Sequence, residues 1–291
     1  MSDYRIVTDS CIDLTDQLAK EIDVDVIPLT VMVKDHIYTN YLDEREISFK
    51  DFYHLLRQKN VPTTSQLNPE HFKAVWEPHL EAGRDILNIS FSSALSGTYE
   101  SSVKARDELK KQHPDRTIVV LDSLCASMGQ GLLVFLAAAE KKTGKSLQQV
   151  AKWVENNRLK VCHLFTVDDL NHLKRGGRLS FARALLGSII NIKPLLHVDN
   201  QGRLVQTGMA RGRRHALNKM VERMIETIEN PWEQDIFISH GDCLVDVEYL
   251  KEQISKRINV KGFVTSYVGP VIGSHSGPGT LAFFYLGKDR T

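Results

Sequence analysis

The sequence has few cysteines, no long apolar segment and no excess of charge of either sign. Its 291 residues include four cysteines, which lie far apart and form no C-x-x-C pair. Reduced and mostly buried thiols are therefore expected, and a disulfide framework is not. No stretch approaches the ~20 apolar residues of a membrane span, and the N-terminus has no apolar signal region. These absences indicate a cytoplasmic globular protein without a transmembrane segment.

The charge balance excludes a further class of function. The chain has 37 basic and 36 acidic residues, so it lacks the basic surface that nucleic-acid binding requires. No nucleic-acid partner is expected. The apolar content of 42% and the charged content of 25% are those of a globular protein. The length allows one large domain or two of ordinary size.

Several catalytic and nucleotide-binding motifs are also missing. The sequence contains no G-x-x-x-x-G-K-[ST], and Gly129-Gln130-Gly131 lies inside a helical pattern without a third glycine. The segment from Gly273 to Gly277 has His275 where a nucleophile elbow has serine. There is no H-E-x-x-H, and the eleven histidines are scattered. Neither a cofactor nor a metal is therefore expected.

The first half of the chain alternates between short apolar runs and amphipathic segments. The expected strands are 4–8, 85–89 and 116–121, and the expected helices are 14–22, 48–59, 69–81, 98–112 and 128–142. This alternation predicts an α/β domain with a mostly parallel sheet flanked by helices. The β-branched segment 24–33 contains Pro28, which places it at a sheet edge or breaks it in two.

The second half is also mixed α/β. The expected strands are 161–166, 193–198, 204–209, 235–240 and 263–267, and the expected helices are 168–174, 181–190, 211–228 and 245–257. Residues 193–198 and 204–209 flank Asn200-Gln201-Gly202, which predicts a hairpin and hence a mixed sheet. The polar segment 144–158 is interpreted as a bridge, which divides the chain into two α/β domains at residues 1–158 and 159–291.

A serine-rich turn joins the strand at 85–89 to the helix at 98–112. Hydroxyls of Ser93, Ser96 and Thr98 surround a helix start, where unpaired N–H groups and the positive end of the helix dipole favour an anion. Plain N-capping by one serine is the alternative. The number of hydroxyls around Gly97 exceeds what a cap needs, so an anion site is favoured.

Four further segments carry groups that could bind an anion. Thr63-Thr64-Ser65 is hydroxyl-rich, although alone it is typical of a capping loop. In segment 175–178, R-G-G-R, the two arginines supply forked donors and the two glycines let an anion approach the backbone closely. The alternative is a helix C-terminus with solvated arginines. Segment 211–214, R-G-R-R, places cations at a helix start, against the dipole. Segment 274–280, S-H-S-G-P-G-T, directs His275 into a cleft or leaves it on the surface.

Eight short motifs occur in a fixed order along the chain. They are V-T-D-S at 7–10, T-S-Q at 64–66, L-S-G-T at 95–98, L-D-S at 121–123, F-T-V-D-D-L at 165–170, L-K-R-G-G-R at 173–178, I-K-P-L-L at 192–196 and S-H-S-G-P-G-T at 274–280. This set resembles the DegV family of bacterial fatty-acid-binding proteins. The resemblance implies two α/β domains with a long-chain fatty acid, C14–C18, bound between them. In some members the protein presents the carboxylate to a separate ATP-dependent kinase subunit, which makes acyl phosphate.

The resemblance also assigns roles to individual residues. Thr64 and Ser96 match the hydroxyls that hold the carboxylate, and His275 matches the histidine that joins them. Arg178 and Arg211 match arginines implicated in phosphoryl transfer or in docking the kinase subunit. The supporting positions are Thr63, Ser65, Ser93, Gly97, Thr98 and Gly277.

The sequence departs from the family pattern at a few positions. Leu67 follows T-S-Q where the family often has proline, and this could alter how the Thr64 loop is held. Thr15 also replaces a frequent proline, and Ser274 and Ser276 stand where threonine is common. None of these changes removes a proposed ligand group.

A fatty-acid tail needs an apolar tunnel, because each buried methylene gains about 0.8 kcal/mol. Its carboxylate needs hydrogen bonds to be stable in an apolar cleft. Leu185, Leu186, Ile189 and Ile190 are candidates to line the tunnel, with ordinary core packing as the simpler alternative for each.

Two other functions remain open at this stage. One is a stand-alone phosphotransferase acting on a small hydroxy-ketone, with Asp9, Asp122, Asp168 and Asp169 as a metal cluster; aspartates at strand ends also cap helices. The other is a lipid-responsive regulatory protein. The favoured interpretation is a lipid-binding protein that is not itself an enzyme.

Overall fold

The computed structural model describes residues 3–179 and 191–290. The strands are β1 (Tyr4–Asp9), β2 (Asp25–Ile27), β3 (Thr30–Val33), β4 (His36–Thr39), β5 (Thr63–Ser65), β6 (Asp85–Ser90), β7 (Ile118–Asp122), β8 (Val161–Thr166), β9 (Ile192–Val198), β10 (Leu204–Arg211), β11 (Asp235–His240), β12 (Gly262–Tyr267) and β13 (Leu281–Leu286). The α-helices are α1 (Asp16–Glu21), α2 (Phe49–Arg57), α3 (Pro69–Glu81), α4 (Thr98–Gln112), α5 (Met128–Lys142), α6 (Leu147–Asn157), α7 (Asn171–Arg175), α8 (Arg213–Thr227), α9 (Leu244–Ser255) and α10 (Pro270–Ser276). Single 3-10 turns occur at Ser10–Ile12, Arg158–Lys160 and Pro231–Glu233.

The first half forms a parallel sheet with the strand order β2-β1-β6-β7. Every residue of β6 is buried, as expected for a central strand covered by helices on both faces. The mostly parallel sheet flanked by helices is confirmed. Helices α4 and α5 begin and end at the predicted residues.

The second half forms a six-stranded mixed sheet with the order β10-β9-β8-β13-β11-β12. Only β11 and β12 pair in parallel; the other neighbours are antiparallel. Val198 pairs with Leu204 across the turn, so the predicted hairpin is confirmed. The predicted helix at 181–190 lies outside the described residues. The domain boundary at residue 158 stays a prediction.

A third, antiparallel sheet has the order β4-β3-β5. The break at Pro28 is confirmed, because β2 joins the parallel sheet and β3 starts this small one. Thr63–Ser65 was expected to be a loop and is instead strand β5, in which Thr64 pairs with Val31. The backbone of this segment is therefore held by β3, and this fixes where the Thr64 side chain lies.

Two predicted helix starts are wrong. Helix α7 starts at Asn171 and is not capped by Asp168, whose carboxylate instead accepts from Lys193 Nζ at 2.7 Å. Arg211 belongs to β10 and not to a helix, because α8 starts at Arg213 after a glycine with φ of +88°. Arg213 lies at the helix start, but Asp246 pairs with it at 2.9 Å and offsets the unfavourable dipole.

Helix α5 joins the two large sheets. One apolar cluster contains Leu133 of α5 with Ile6 of the parallel sheet and Phe284 of the mixed sheet. The rings of Phe135 and Phe237 lie 5.5 Å apart between helix and mixed sheet. Apolar side chains of α5 therefore belong to a core that is continuous from the parallel sheet to the mixed sheet, as the strongly apolar sequence of this helix favours.

The small sheet and α2 pack against the second half. Phe52 and Tyr53 of α2 share an apolar cluster with Val31 and Val268. Tyr53 is fully buried, and its hydroxyl donates to Val268 O at 2.7 Å. Elements from the first half therefore support the segment that leads into α10.

The four cysteines are free, and Cys11, Cys125 and Cys162 are buried, as predicted. Burial raises the pKa of the Cys125 thiol to about 11, so it is not a reactive thiolate near neutral pH.

Among the helices of the described residues, none is both long and apolar enough to cross a bilayer.

A buried carboxylate also joins the halves. Asp13 Oδ1 accepts from the N–H of Gly269, directly before α10, at 3.0 Å, and Asp13 Oδ2 accepts from Ser127 Oγ. Ser127 Oγ also lies 2.8 Å from Ser239 Oγ. Burial raises the pKa of Asp13 to about 7.

This raised pKa makes the Asp13 contribution to stability depend on pH. The unfolded pKa is about 3.9, so between about pH 4 and pH 7 the native state binds more protons and stability falls as pH rises. Asp13→Asn removes the titration and keeps both hydrogen bonds, since the amide can accept from Gly269 and donate to Ser127. We expect the wild type to lose stability relative to this variant by up to about 1.4 kcal/mol per pH unit in that range.

Urea unfolding of both proteins at four pH values between 4.5 and 7.5 measures the difference. Asp43→Asn is the control, because Arg45 holds the pKa of the Asp43 carboxyl below its usual value, so its titration falls below the range. Parallel stability curves for wild type and Asp13→Asn would contradict the prediction.

Candidate ligand-binding site

A cavity of about 430 Å³ lies between the carboxyl ends of the parallel strands and the mixed sheet. Such ends are where open α/β sheets bind ligands, and the volume is within the usual range for small-molecule sites. Most of its wall is apolar, and both halves of the chain contribute. Its apolar side chains include Phe91, Leu95, Phe165, Ile272 and Phe284.

One part of the wall is polar and brings together residues from distant parts of the sequence. Thr64 Oγ1 lies 2.8 Å from His275 Nε2, across 211 positions of sequence. Ser96 and Arg178 line the same cavity. The structure therefore brings together four of the residues singled out from the sequence, and two of them are in direct hydrogen-bond contact.

The imidazole of His275 is neutral at pH 7. Burial, followed by the nearby positive charge of Arg178, lowers its pKa to about 4. A neutral imidazole has one N–H and one acceptor nitrogen. In the tautomer with the proton on Nε2, the ring donates to Thr64 Oγ1 and leaves the Thr64 hydroxyl hydrogen free for an anion. His275 lies in the last turn of α10.

The serine-rich turn positions Ser96 at the cavity. Ser96 Oγ accepts from the N–H of Thr98 at 3.3 Å and lies 3.0 Å from Thr98 Oγ1. Thr98 is fully buried and also accepts weakly from the N–H of Leu67 at 3.4 Å. Leu67 thus donates an N–H that a proline at this position would lack. Thr98 supports both chain segments without lining the cavity.

Glycines permit two close contacts at the site. A Cβ on Gly97 would lie 2.4 Å from Gln66 Oε1, and Gln66 lines the cavity. Gly277, with φ of +79°, ends α10, and a Cβ there would lie 2.5 Å from the ring of His172. Gly97 therefore shapes the wall through Gln66, whereas Gly277 and His172 pack beside it outside the wall.

The remaining predicted positions are placed differently. Ser65 borders the cavity, whereas Thr63 is exposed on β5 and outside the wall. Ser93 is also outside the wall, and its N–H donates to Asp122 at 3.2 Å. Arg178 Nε donates to Leu95 O at 3.1 Å, which holds the guanidinium beside the cavity. Arg211 is exposed at the end of β10 and does not reach the cavity.

Sequence reasoning missed most of the wall. The four proposed tail-lining residues, Leu185, Leu186, Ile189 and Ile190, lie outside the described residues. Phe165 lies on β8, all of whose residues are buried, so no alternation distinguishes its cavity-facing side from its core-facing side. His163 of β8 also lines the wall. Its ring is fixed as a neutral donor to Val161 O and acceptor from the Ala126 N–H.

The chain is similar to known proteins along almost its whole length. Its residues 3–288 match the family model described as "Uncharacterised protein, DegV family". The chain belongs to the DegV family. A DegV domain-containing protein of Clostridium perfringens is 45% identical over 290 residues, which cover 100% of this chain and 99% of that protein. A DegV domain-containing protein of Streptococcus pyogenes serotype M1 is 36% identical over 286 residues, 98% of this chain and 99% of the relative.

Solved structures of DegV proteins have the same fold. A DegV family protein from Thermus thermophilus, described by its fatty acid binding, is 32% identical with a TM-score of 0.87, covering 98% of this chain and 99% of that one. A DegV lipid binding protein from Thermotoga maritima is 28% identical with a TM-score of 0.87, covering 99% and 100%. DegV from Bacillus subtilis, described as a fatty acid binding protein, is 30% identical with a TM-score of 0.84, covering 99% and 100%. The family resemblance drawn from the motifs is confirmed.

The close approach of Gly176 to His275 gives a prediction. A Cβ at Gly176 would lie 2.2 Å from His275 Nδ1, so in Gly176→Ala the ring must move and lose its contact with Thr64. Because burial and the charge of Arg178 lower the pKa of His275 to about 4, a ring displaced from this position should titrate closer to about 6.5, the value of an exposed histidine. NMR titration of the histidine Cε1–H signals measures this shift.

Gly208→Ala is the matched control, because a Cβ there would meet Leu195 Cδ1 at an ordinary 3.6 Å. An unchanged pKa of His275 in Gly176→Ala would contradict the prediction.

Proposed function

We propose that this protein binds one long-chain fatty acid in the cavity, with its carboxylate at Thr64, Ser96 and His275. The observation that carries the proposal is a small cluster of hydroxyl and imidazole groups in a cavity whose wall is otherwise mostly apolar. A carboxylate in such surroundings is costly unless it is hydrogen-bonded. Thr64 and Ser96 can each supply an O–H donor.

The charges around the cluster support an anionic head group. Arg178 borders the cavity, and its charge is one cause of the lowered pKa of His275. The positive charge of Arg178 disfavours the protonated form of His275, and for the same reason it favours a ligand that carries a negative charge. The neutral ring then orients Thr64 towards the carboxylate.

The rest of the wall suits an acyl tail. Burying each methylene gains about 0.8 kcal/mol, and aromatic and aliphatic side chains from both halves surround the cavity. The Thermus thermophilus and Bacillus subtilis relatives are described as fatty-acid-binding. By analogy with the family, we propose a C14–C18 chain.

We also propose that the bound carboxylate is presented to a separate ATP-dependent kinase subunit, which forms acyl phosphate, with Arg178 beside the reacting group and Arg211 on the docking surface.

The aspartates of the rival phosphotransferase have structural partners. Asp9 accepts from the Phe91 N–H at 2.8 Å, and Asp122 accepts from the Leu124 N–H at 2.9 Å. Asp168 pairs with Lys193, and Asp169 accepts from the Asn171 N–H.

Fatty-acid binding is tested on the purified protein. We expect lipid extraction and mass spectrometry to recover one C14–C18 fatty acid per chain, or delipidated protein to bind one oleate in a calorimetric titration. Thr64→Val and Ser96→Ala should each weaken oleate binding by about 1–3 kcal/mol, because the carboxylate loses a donor.

Thr39→Val, a strand substitution in the same small sheet but outside the cavity wall, should leave the affinity unchanged. Finding no lipid and no uptake of added oleate would refute fatty-acid binding. Unchanged affinity in both site variants, with binding intact, would refute only the assigned head-group contacts.

The kinase role predicts a requirement for a second protein. With labelled ATP and oleate, the chain alone should form no acyl phosphate, and a cell extract from the source organism lacking this chain should form it only when the chain is added. Arg178→Ala should reduce that transfer by about tenfold or more, because a cation no longer stabilises the developing charge. Arg106→Ala, a surface change on α4, serves as control. Acyl phosphate formed by the chain alone would instead support the stand-alone enzyme.

A further inference from the structure

One face of the small sheet β4-β3-β5 carries no charged side chain. Alternation along β3 places Val31 and Val33 on the buried face. The opposite, outer face consists of Thr30, Met32, Ile37, Thr39, Thr63 and Ser65 of the three strands, together with Val61 before β5. An antiparallel sheet with one face on the core normally has polar side chains on the other. The outer face instead mixes hydroxyl side chains with large apolar ones.

The large apolar side chains of the outer face are neighbours. Met32 is 42% exposed, and Ile37, its partner across the strands, is 69% exposed. Val61 is 62% exposed; it lies two residues before Thr63, the other partner of Met32, and Pro62 favours an extended backbone there. Single exposed apolar residues are ordinary, whereas a contiguous group marks an interaction site. Three of the nine large apolar side chains exposed in the described part of the chain lie here, so the outer face is an interaction surface.

The outer face is continuous with the proposed head-group site. Thr64 lies on β5 between Thr63 and Ser65 and directs its hydroxyl to His275. Ser65 belongs to the outer face and also borders the cavity. Thr64, Ser96 and His275 are half-buried, so the head-group site is not sealed from solvent. A protein that reaches the bound carboxylate therefore contacts the rim at which the outer face begins.

Phosphoryl transfer makes such contact necessary, because the reacting atoms must lie roughly 3–3.5 Å apart. The surroundings of the outer face also suit a protein partner. Lys34 and Asp35 are exposed in the turn between β3 and β4, and Glu46 of the exposed segment 43–46, D-E-R-E, accepts from the Thr39 N–H at 2.6 Å. An apolar centre with a polar rim is the usual anatomy of a protein interface.

The size of the outer face favours a transient protein partner over a second copy of the chain. A stable interface takes about 20–30 residues from each side, and the outer face has only six strand residues and Val61. It also lacks the Lys and Arg side chains with which peripheral proteins hold an anionic membrane. A partner that binds, reacts and dissociates needs less surface than a permanent one.

We propose that the outer face is a docking surface for the kinase subunit, with Met32 and Ile37 at its centre. The inference rests on the proposed function and extends it, because it adds an apolar contact in the first half of the chain to Arg211 in the second. The matching surface of the kinase subunit is apolar at its centre.

The test measures how much of this chain the kinase needs. Acyl phosphate formation from labelled ATP is followed at saturating oleate, in an extract of the source organism lacking this chain, over a range of concentrations of the added chain. We expect Met32→Glu and Ile37→Glu each to raise the half-saturating concentration about tenfold, because each places a charge against an apolar partner surface. The maximal rate should be nearly unchanged.

Matched variants control for the substitution itself. Ile37→Val keeps an apolar side chain and should behave as the wild type. Ile37→Thr, which suits a strand, should give a smaller rise in the same direction. Trp232→Glu changes a side chain that is 61% exposed outside the outer face and should have no effect. All variants should bind oleate as the wild type does, since none of these side chains lines the cavity.

The outcomes separate this inference from the proposed function. Wild type that binds no oleate overturns fatty-acid binding. Wild type that binds oleate but supports no acyl phosphate formation overturns the kinase role, and this inference with it. Active wild type with unchanged half-saturating concentrations in Met32→Glu, Ile37→Glu and Ile37→Thr overturns only the docking surface.

Two other occupants of the outer face would give different results. Slower transfer of oleate from phosphatidylglycerol-containing vesicles to Ile37→Glu, with no kinase present, would assign the face to a membrane. A wild-type dimer in sedimentation velocity that Ile37→Glu dissociates would assign it to a second copy of the chain. Either result would overturn docking of the kinase subunit; we expect equal transfer rates and equal sedimentation coefficients.

Discussion

The hydrogen bond between Thr64 and His275 is the contact on which the site depends. It joins a short strand of the first half to a short helix of the second, at 2.8 Å. Neither element could hold this geometry alone, because β5 has three residues and α10 has seven. Strand β3 fixes β5, while Tyr53 and Asp13 bond to the two backbone positions directly before α10, Val268 and Gly269.

The parts of the fold that sequence predicted well have strong local signals. Helices α4 and α5 and strand β8 occur at the predicted residues because their hydrophobic patterns act locally. Strand β5 was missed for the opposite reason. Thr63–Ser65 contains no apolar alternation, and it is a strand only because β3, about 30 residues earlier, pairs with it. Such pairing is not encoded in the segment itself.

The same distinction applies to the site. Thr64, Ser96, Arg178 and His275 could be singled out because polar residues in short motifs are conspicuous against apolar strands. The apolar wall could not be, since Phe165 and Phe284 lie on strands that are buried on both faces. The close contacts that glycines permit also depend on the folded chain and not on the local sequence. Gly176 borders His275 across about 100 residues, and no spacing in the sequence indicates that contact.

In the proposed complex, the tail and the head group of the fatty acid have different roles, and the neutral state of His275 bears on the role of the head group. A tail of about 16 methylenes would gain roughly 10 kcal/mol or more on burial, whereas each hydrogen bond to the carboxylate contributes about 1–3 kcal/mol. The tail therefore supplies most of the affinity, and the head group fixes which end of the ligand lies at Thr64. An imidazolium would add an ion pair, but in the ligand-free protein burial and Arg178 lower the pKa of His275 to about 4. In the proposed complex the carboxylate is therefore held by hydrogen bonds to neutral groups, and Arg178 is a nearby positive charge.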